Sequence, residues 1–174
     1  FMDGPKIIVE RNAQDGVGNT MNNGTIVVHG RAGDIVGMGM RGGKIFIKES
    51  VGYRAAIHMK EYRKHMPVLV VGGETQDFLG EYMAGGIVIA LGLTANGDSR
   101  FTARHIGTGM HGGLIFIRGE VEEHQLGKEA ACEPASRDDI AAIRPYVEEY
   151  VDYFGGNADD ILSDVKADFR ARRE

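Results

Sequence analysis

The chain has 174 residues, 43% of them hydrophobic and 26% charged, which is typical of a single globular domain with a small appendage. Its net charge of −5 argues against nucleic-acid binding, and its only cysteine, Cys132, excludes a disulfide framework or a thiolate metal cluster within the chain. No apolar run reaches the ~20 residues that span a bilayer and no signal peptide is visible, so the sequence predicts a cytoplasmic protein.

The chain contains 26 glycines, and many of them precede short apolar runs at regular spacing. The residue before each run serves as an anchor: Pro5, Gly24, Gly43, Pro67, Gly86 and Gly113. The anchors are 19, 19, 24, 19 and 27 residues apart. A methionine stands three residues before five of them, at Met2, Met21, Met40, Met83 and Met110. Such spacing indicates an internal repeat.

Three apolar columns emerge when the runs are aligned on their anchors. Two residues past the anchor stand Ile7, Ile26, Ile45, Leu69, Val88 and Ile115, and four past it stand Val9, Val28, Ile47, Val71, Ala90 and Ile117. Strand side chains alternate between faces, so these two columns should share the inner face. The middle column points the other way: Ile8, Val27, Phe46, Val70, Ile89 and Phe116.

These patterns predict a mainly β protein, a right-handed parallel β-helix. This would be a single-stranded solenoid with about 19 residues per coil, followed by a C-terminal pair of α-helices. The predicted domains are the β-helix over residues 1–126 and a linker with two packed helices over 127–174. Because Met2 already lies inside a unit, we expect the β-helix to be truncated at its N-terminal end, as a fragment of a longer polypeptide or a trimmed subunit.

The middle column is too apolar for a solvated face, so we expect it to be covered. The cover could be the chain's own tail, a partner or a second copy of the chain, which would make a homo-oligomer. Scattered apolar residues on the surface are the alternative.

The glycine turns carry a misleading motif. Residues 37–42 and 107–112 both read G-x-G-x-x-G, but a dinucleotide-binding fingerprint must open a helix, whereas both runs lead into predicted strands. We therefore assign the glycines a structural role at the turns. They are Gly37, Gly39, Gly42, Gly43, Gly80, Gly85, Gly86, Gly107, Gly109, Gly112 and Gly113.

Two insertions break the period, one between Gly52 and Pro67 and the other between Gly86 and Gly113. Insertions in repeat proteins form loops that often make contacts. Because both are polar and charged, they supply the candidate partner-contact residues His58, Lys60, Glu61, Tyr62, Arg63, Arg100 and Arg104. Tolerated surface loops are the alternative.

After Gly127 the pattern becomes helical. Ser136 is a predicted N-cap, and the first helix should bury Ile140, Ile143, Val147, Tyr150, Val151 and Phe154, with Pro145 as a possible kink. Gly155 and Gly156 should end it. Asn157 should cap a second helix with Ile161, Leu162, Val165 and Phe169 on one face and Arg170, Arg172 and Arg173 at its C-terminus.

No catalytic set is recognisable in the sequence. There is no G-x-S-x-G elbow, and Cys132 lies in a polar link without a local activating motif. The six histidines show no paired metal-binding spacing. We expect Asp34, Asp77 and Glu81 to satisfy amides at the corners of the coils rather than to act as acids or bases.

Several stretches resemble the G-x-G-x-G domain family. They are residues 52–62, 70–73, 77–86, 107–113 and 157–162, so the resemblance spans nearly the whole chain. That family includes the C-terminal β-helix domain of the glutamate synthase large subunit and, more distantly, a β-helix component of formylmethanofuran dehydrogenase.

The glutamate synthase resemblance implies a non-catalytic scaffold domain or subunit of an oxidoreductase complex for glutamate biosynthesis. The partners would be an amidotransferase (glutaminase) and an FMN-binding synthase that makes glutamate from 2-oxoglutarate. The resemblance places FMN and an iron-sulfur cluster on those partners and implies no cofactor on this chain. Two alternatives remain open: a scaffold of a formylmethanofuran-dehydrogenase-like complex, and a stand-alone hydrolase with its site in the insertions, including His58, His65 and His105.

Overall fold

A computed structural model describes residues 1–93 and 101–171 of the chain. The regular elements in these residues are eight strands, two α-helices and one short 3₁₀ helix at Glu123–Gln125. The strands are β1 Lys6–Val9, β2 Thr25–Val28, β3 Lys44–Ile47, β4 Val68–Val71, β5 Ala84–Ala90, β6 Gly112–Arg118, β7 Ala130–Pro134 and β8 Val165–Ala171. The helices are α1 Arg137–Phe154 and α2 Ala158–Ser163.

All eight strands belong to one sheet, in the order β1-β2-β3-β4-β5-β6-β8-β7. Strands β1 to β6 are parallel to their neighbours, and β8 pairs antiparallel with both β6 and β7. The register joins Ile7 to Ile26 and Ile26 to Ile45, which are residues of one predicted column. The alignment of the apolar runs on their anchors is therefore confirmed across the six parallel strands.

The predicted right-handed parallel β-helix is wrong. The six parallel strands belong to an open sheet against which the helix pair packs. Within the described residues each unit contributes one strand to the sheet, joined to the next by turns. The sequence period gave the register of neighbouring strands, but it contained no information on how many strands each unit would form. The glycine-bounded runs are only four to seven residues long as strands, so most of each unit is available for turns.

The first face of the sheet packs against the turns. Its core contains the two inner columns from Ile26 to Ile117 together with the row of methionines. Met59 joins that row between Met40 and Met83, because its backbone N–H bonds Ala56 O just as Met40 bonds Gly37 O. The first insertion therefore lies after Met59, within residues 60–66.

The second face of the sheet carries the middle column and is covered by the C-terminal helices. Val27, Phe46, Val70, Ile89 and Phe116 share a buried cluster with α1 and α2. The helical contribution comes from Ile143, Val147, Tyr150, Ile161 and Leu162. The expectation that this column is covered is confirmed, and the cover from β2 to β6 is the chain's own tail. In the edge strand β1, Ile8 remains 50% exposed.

The boundaries of α1 follow from its terminal residues, as the sequence predicted. The Ser136 hydroxyl accepts from Asp139 N, and the Asp139 side chain accepts from Ser136 N, a reciprocal capping box. The helix continues through Pro145 and ends at Gly155, where φ is 84°. Within residues 1–93 and 101–171, no helix has the length and apolar character that crossing a bilayer requires.

The second predicted helix is shorter than expected. Asn157 caps α2 by accepting from Asp159 N and Asp160 N, as predicted, but the helix ends at Ser163. Val165, Phe169 and Arg170 belong to strand β8 instead. The backbone of β8 completes the hydrogen bonding of β6, which local sequence spacing did not anticipate. Arg172 and Arg173 lie outside the described residues.

Candidate functional site

The turns that precede the strands lie side by side and form a continuous surface. The backbone N–H groups of Thr20, Gly39 and Tyr82 donate to the next unit's carbonyl groups, each at 2.8 Å, and His58 N donates to Glu81 O at 2.9 Å. Thr20, Gly39, His58, Tyr82 and Gly109 therefore occupy equivalent positions in five successive turns, one beside the next. A parallel row runs through Ile35, Arg54, Phe78 and His105.

Several large side chains on this surface stand where the backbone favours glycine. His58 has φ 55° and Tyr82 has φ 53°, close to the 59° of the equivalent Gly39. Phe78 and His105, in the second row, also have positive φ. A non-glycine residue in this region costs about 1–3 kcal/mol. Backbone geometry alone favours glycine here, so these side chains stand at a cost in backbone energy, as do Thr20 and Ile35 in the same two rows.

These side chains stack on one another along the two rows. The rings of His58 and Tyr82 lie 5.2 Å apart at 10°, and those of Phe78 and His105 lie 4.7 Å apart at 13°. The Arg54 guanidinium lies 4.6 Å from the centroid of the Phe78 ring. We call Arg54, His58, Phe78, Tyr82 and His105 the ring ladder.

A buried carboxylate fixes one end of the ring ladder. Glu81 is 6% exposed, and its Oε2 accepts a hydrogen bond from Arg54 Nη1. A carboxylate this buried requires a charged partner, and the ion pair therefore holds the Arg54 guanidinium against the Phe78 ring. Glu81 thus departs from the expected role. Asp34 and Asp77 do accept corner amides as predicted, from Tyr53 N at 2.9 Å and Arg104 N at 2.8 Å.

The first insertion forms a small projection that we call the hairpin, residues 60–66. Tyr62 and His65 exchange backbone hydrogen bonds of 3.1 and 3.0 Å around Arg63 and Lys64. Glu61 Oε1 accepts from Gly86 N at 3.1 Å, so this side chain attaches the hairpin to the start of strand β5. Apart from that contact, the hairpin projects exposed side chains.

The structure brings most of the candidate contact residues onto these two features. His58 belongs to the ring ladder, and Lys60, Glu61, Tyr62 and Arg63 belong to the hairpin. Arg104 lies apart from the hairpin, beside a groove of about 330 Å³ that Glu122 and Gln125 also line. Arg100 lies outside the described residues. Their role in binding a partner stays a prediction.

Sequence reasoning missed the ring ladder as a unit. The available signal was the occurrence of bulky residues, His58 and Tyr82, at a position that other units fill with Thr20, Gly39 or Gly109. For metal binding, the described residues contain no group of three or more histidine, cysteine, aspartate or glutamate side chains placed to hold an ion.

Comparison with known proteins identifies relatives of the whole chain. A model of the GXGXG motif family matches residues 1–171. An uncharacterized protein of Methanocaldococcus jannaschii is 51% identical over 156 residues, which cover 88% of this chain and 60% of that protein.

Two further relatives are much larger proteins. A ferredoxin-dependent glutamate synthase of Pyropia yezoensis is 34% identical over 122 residues, covering 63% of this chain and 7% of that enzyme. Ferredoxin-dependent glutamate synthase 2 of Synechocystis sp. is 30% identical over 132 residues, which cover 69% of this chain and 8% of that enzyme. The chain thus spans less than two thirds of the length of each of these three relatives. With a family match over almost its full length, the chain belongs to the GXGXG motif family and is related to a domain of glutamate synthase.

Proposed function

We propose that the protein is a non-catalytic scaffold domain or subunit of a glutamate-synthase-type assembly. The observation that carries this proposal is the small share of the glutamate synthases that it matches, 7% and 8% of their lengths. The chain corresponds to one small part of an enzyme whose other parts are far larger. Its contribution is then to hold an amidotransferase and an FMN-binding synthase chain in place.

The ring ladder supports a role in contacting those partners. Tyr82 is 47% exposed and His58 is exposed, although both have a strained backbone and stack on each other. Tyrosine and arginine are enriched at the energetic centres of protein interfaces, because they supply large contact areas and directed hydrogen bonds. A pre-stacked pair also loses little side-chain entropy when a partner binds.

The proposal assigns the redox cofactors to the partner chains. An iron-sulfur cluster is ordinarily held by four cysteine thiolates, and this chain has one cysteine, Cys132. The cysteine count thus supports a cluster held by the synthase partner, and the proposal assigns FMN to that partner as well. Glutamine hydrolysis belongs to the amidotransferase partner.

Reconstitution tests this proposal. The full chain would be mixed with purified amidotransferase and FMN-binding synthase chains, and two quantities would be measured: co-elution on gel filtration and glutamine-dependent glutamate formation. We expect no turnover by the chain alone and coupled turnover only when it joins the other two. A complex that forms and works equally well without this chain would refute the scaffold role.

Glycine substitutions locate the contact surface. Tyr82→Gly and His58→Gly remove ladder side chains where the backbone already suits glycine, so the fold should persist while assembly weakens about tenfold or more. Thr20→Gly is the matched control, because Thr20 has φ 52° at the equivalent position but belongs to no ring pair. Equal loss of assembly in all three variants would argue against the ring ladder as the contact.

A further inference from the structure

A groove of about 300 Å³ lies beneath the hairpin, outside the ring ladder. Its lining is dominated by side chains that donate hydrogen bonds or carry positive charge. The lining residues are Asp3, Asn22, Arg41, Tyr62, Arg63 and His65.

Two parts of the chain build this groove. Asp3, Asn22 and Arg41 occupy equivalent positions in three successive turns, since Asn22 N donates to Met2 O and Arg41 N donates to Met21 O, both at 2.8 Å. The hairpin folds back over this row. Its close approach depends on Gly42, where a Cβ would lie 2.8 Å from His65 Cβ. The floor therefore comes from the repeated turns and the roof from the insertion.

The two arginines of the groove lack counter-ions. Within residues 1–93 and 101–171, neither the Arg41 nor the Arg63 guanidinium has a hydrogen-bond acceptor or a carboxylate in ion-pair distance. Arg54, Arg118 and Arg144, by contrast, each pair with a carboxylate.

Asp3 is the single acid of the lining and stands two turns away from Arg41 along the row. Neighbouring strand positions are ~4.8 Å apart, so the backbones of Asp3 and Arg41 are roughly 10 Å apart, and their side chains form no ion pair. Two positively charged side chains therefore line one groove, and neither forms an ion pair within the described residues.

We propose that this groove is a binding site for a carboxylate group, held by Arg41 and Arg63. A guanidinium presents paired N–H donors that match the two oxygens of a carboxylate, and Tyr62 and Asn22 supply further hydrogen-bonding groups at the rim. The carboxylate belongs either to a small dicarboxylic acid or to an acidic side chain of a partner protein. The site lies outside the ring ladder and is tested without the other chains.

Isothermal titration calorimetry on the full chain at low salt tests the proposal. The probes are glutarate, a hexaglutamate peptide and inorganic phosphate. Saturable binding of glutarate identifies a small-molecule site, and binding of hexaglutamate alone identifies a site for a partner's side chain. Either result supports the proposal. Failure of both carboxylate probes to bind overturns it, and so does tighter binding of phosphate than of either carboxylate.

Matched substitutions assign the site to the groove. Arg41→Gln and Arg63→Gln should each weaken carboxylate binding about tenfold or more, because each removes one charged donor pair. Arg31→Gln is the control, since Arg31 is an exposed arginine in the turn that follows β2, away from the groove, and lies beside Asn12 and Gln14. Binding that survives in both groove variants, or that falls equally in the control, places the carboxylate elsewhere and refutes the assignment. The assembly assay with ring-ladder variants tests a different surface from the groove. Failure of the carboxylate-site proposal therefore does not refute the scaffold proposal, and the reverse also holds.

Discussion

The buried apolar row beneath α1 and the ring ladder on the turn surface both consist of stacked side chains, but they differ in burial and in backbone strain. On the sheet face beneath α1, Val27, Phe46 and Ile89 are fully buried, and their neighbours in the next strands are of the same chemical type. On the turn surface, His58, Tyr82 and His105 of the ring ladder are exposed, Arg54 and Phe78 are half-buried, and all five adopt backbone conformations that favour glycine. The buried row stabilises the fold, whereas in the ring ladder the cost of the strained backbone is offset in part by stacking of the side chains. The proposed role of the ladder is a contact outside the chain.

The largest expected effect comes from truncating the buried row. Ile89→Ala should lower the free energy of unfolding by about 2–5 kcal/mol, because it removes buried methyl groups and leaves a cavity between the sheet and the helices. Chemical denaturation measures the change. Ile8→Ala is the matched control in the same column, and with Ile8 50% exposed it should cost under about 1 kcal/mol. Equal costs would show that the helices contribute little as a cover.

A second prediction concerns the tyrosine that anchors α1 to the sheet. Tyr150 donates a hydrogen bond to Lys48 O at 3.0 Å, and burial raises the pKa of its phenol to about 12. Because the unfolded phenol ionises near pH 10 and the folded one does not, the stability due to this group is present below pH 10 and is lost as the pH rises toward 12. The loss amounts to about 2–3 kcal/mol at pH 12.

Tyr150→Phe provides the measurement for that pH dependence. The variant should be less stable than the parent by about 1 kcal/mol at pH 8, since it lacks the hydrogen bond to Lys48 O. It should equal or exceed the parent's stability near pH 12, since it has no phenol to ionise. Denaturation curves at both pH values test the crossing, and parallel pH profiles of the two proteins would contradict it.

The start of α1 should show a smaller effect. Ser136→Ala removes the N-cap and should cost about 1 kcal/mol near neutral pH. The Ser136 hydroxyl also lowers the pKa of the Asp139 carboxyl by hydrogen bonding, as does Arg170. That part of the stability is present above pH 4 and is lost as the pH falls, so the gap between variant and parent should narrow in acid. Thermal unfolding at pH 7 and pH 3 tests this, and Ser163→Ala at the exposed end of α2 is the control.

The smallest expected effect on stability belongs to the ring ladder. Tyr82→Gly relieves a strained backbone worth about 1–3 kcal/mol but loses ring stacking worth about 0.5–1.5 kcal/mol and adds chain entropy to the unfolded state. The net change in unfolding free energy should stay within about 1 kcal/mol. A large destabilisation would mean that the ladder serves the fold, and the contrast with the buried row would then fail.

The sequence predicted the parts of this fold that depend on local chemistry. Column alignment gave the register of the six parallel strands, and Ser136 and Asn157 marked the starts of both helices. The sequence-based prediction failed for features that depend on contacts between segments far apart in the chain. The winding of the units into the coils of a β-helix was wrong, since the strands form one open sheet, and Phe169 was assigned to a helix because its spacing suited one. The pairing of β8 with β6 depends on an edge that lies about fifty residues earlier in the chain.

The same division applies to the candidate site. The hairpin was predicted because it interrupts the repeat period, and such an interruption can be recognised from the sequence alone. The stacking of Phe78 on His105 was not found, because residues 27 positions apart become neighbours only once the turns align. The charge of Arg41 was likewise unremarkable until the structure showed that Arg63 of the hairpin lines the same groove.

The reversed strand at the end of the sheet has a consequence for biosynthesis. Strands β1 to β6 can pair in the order in which a ribosome releases them, each adding to the one before it. Strand β7 is made before β8, yet among the described strands it bonds only β8, which itself fills the open side of β6. The edge of β6 therefore stays unpaired until residues 165–171 have been synthesised. Until then, the nascent chain can form unwanted strand pairs with other proteins at that edge.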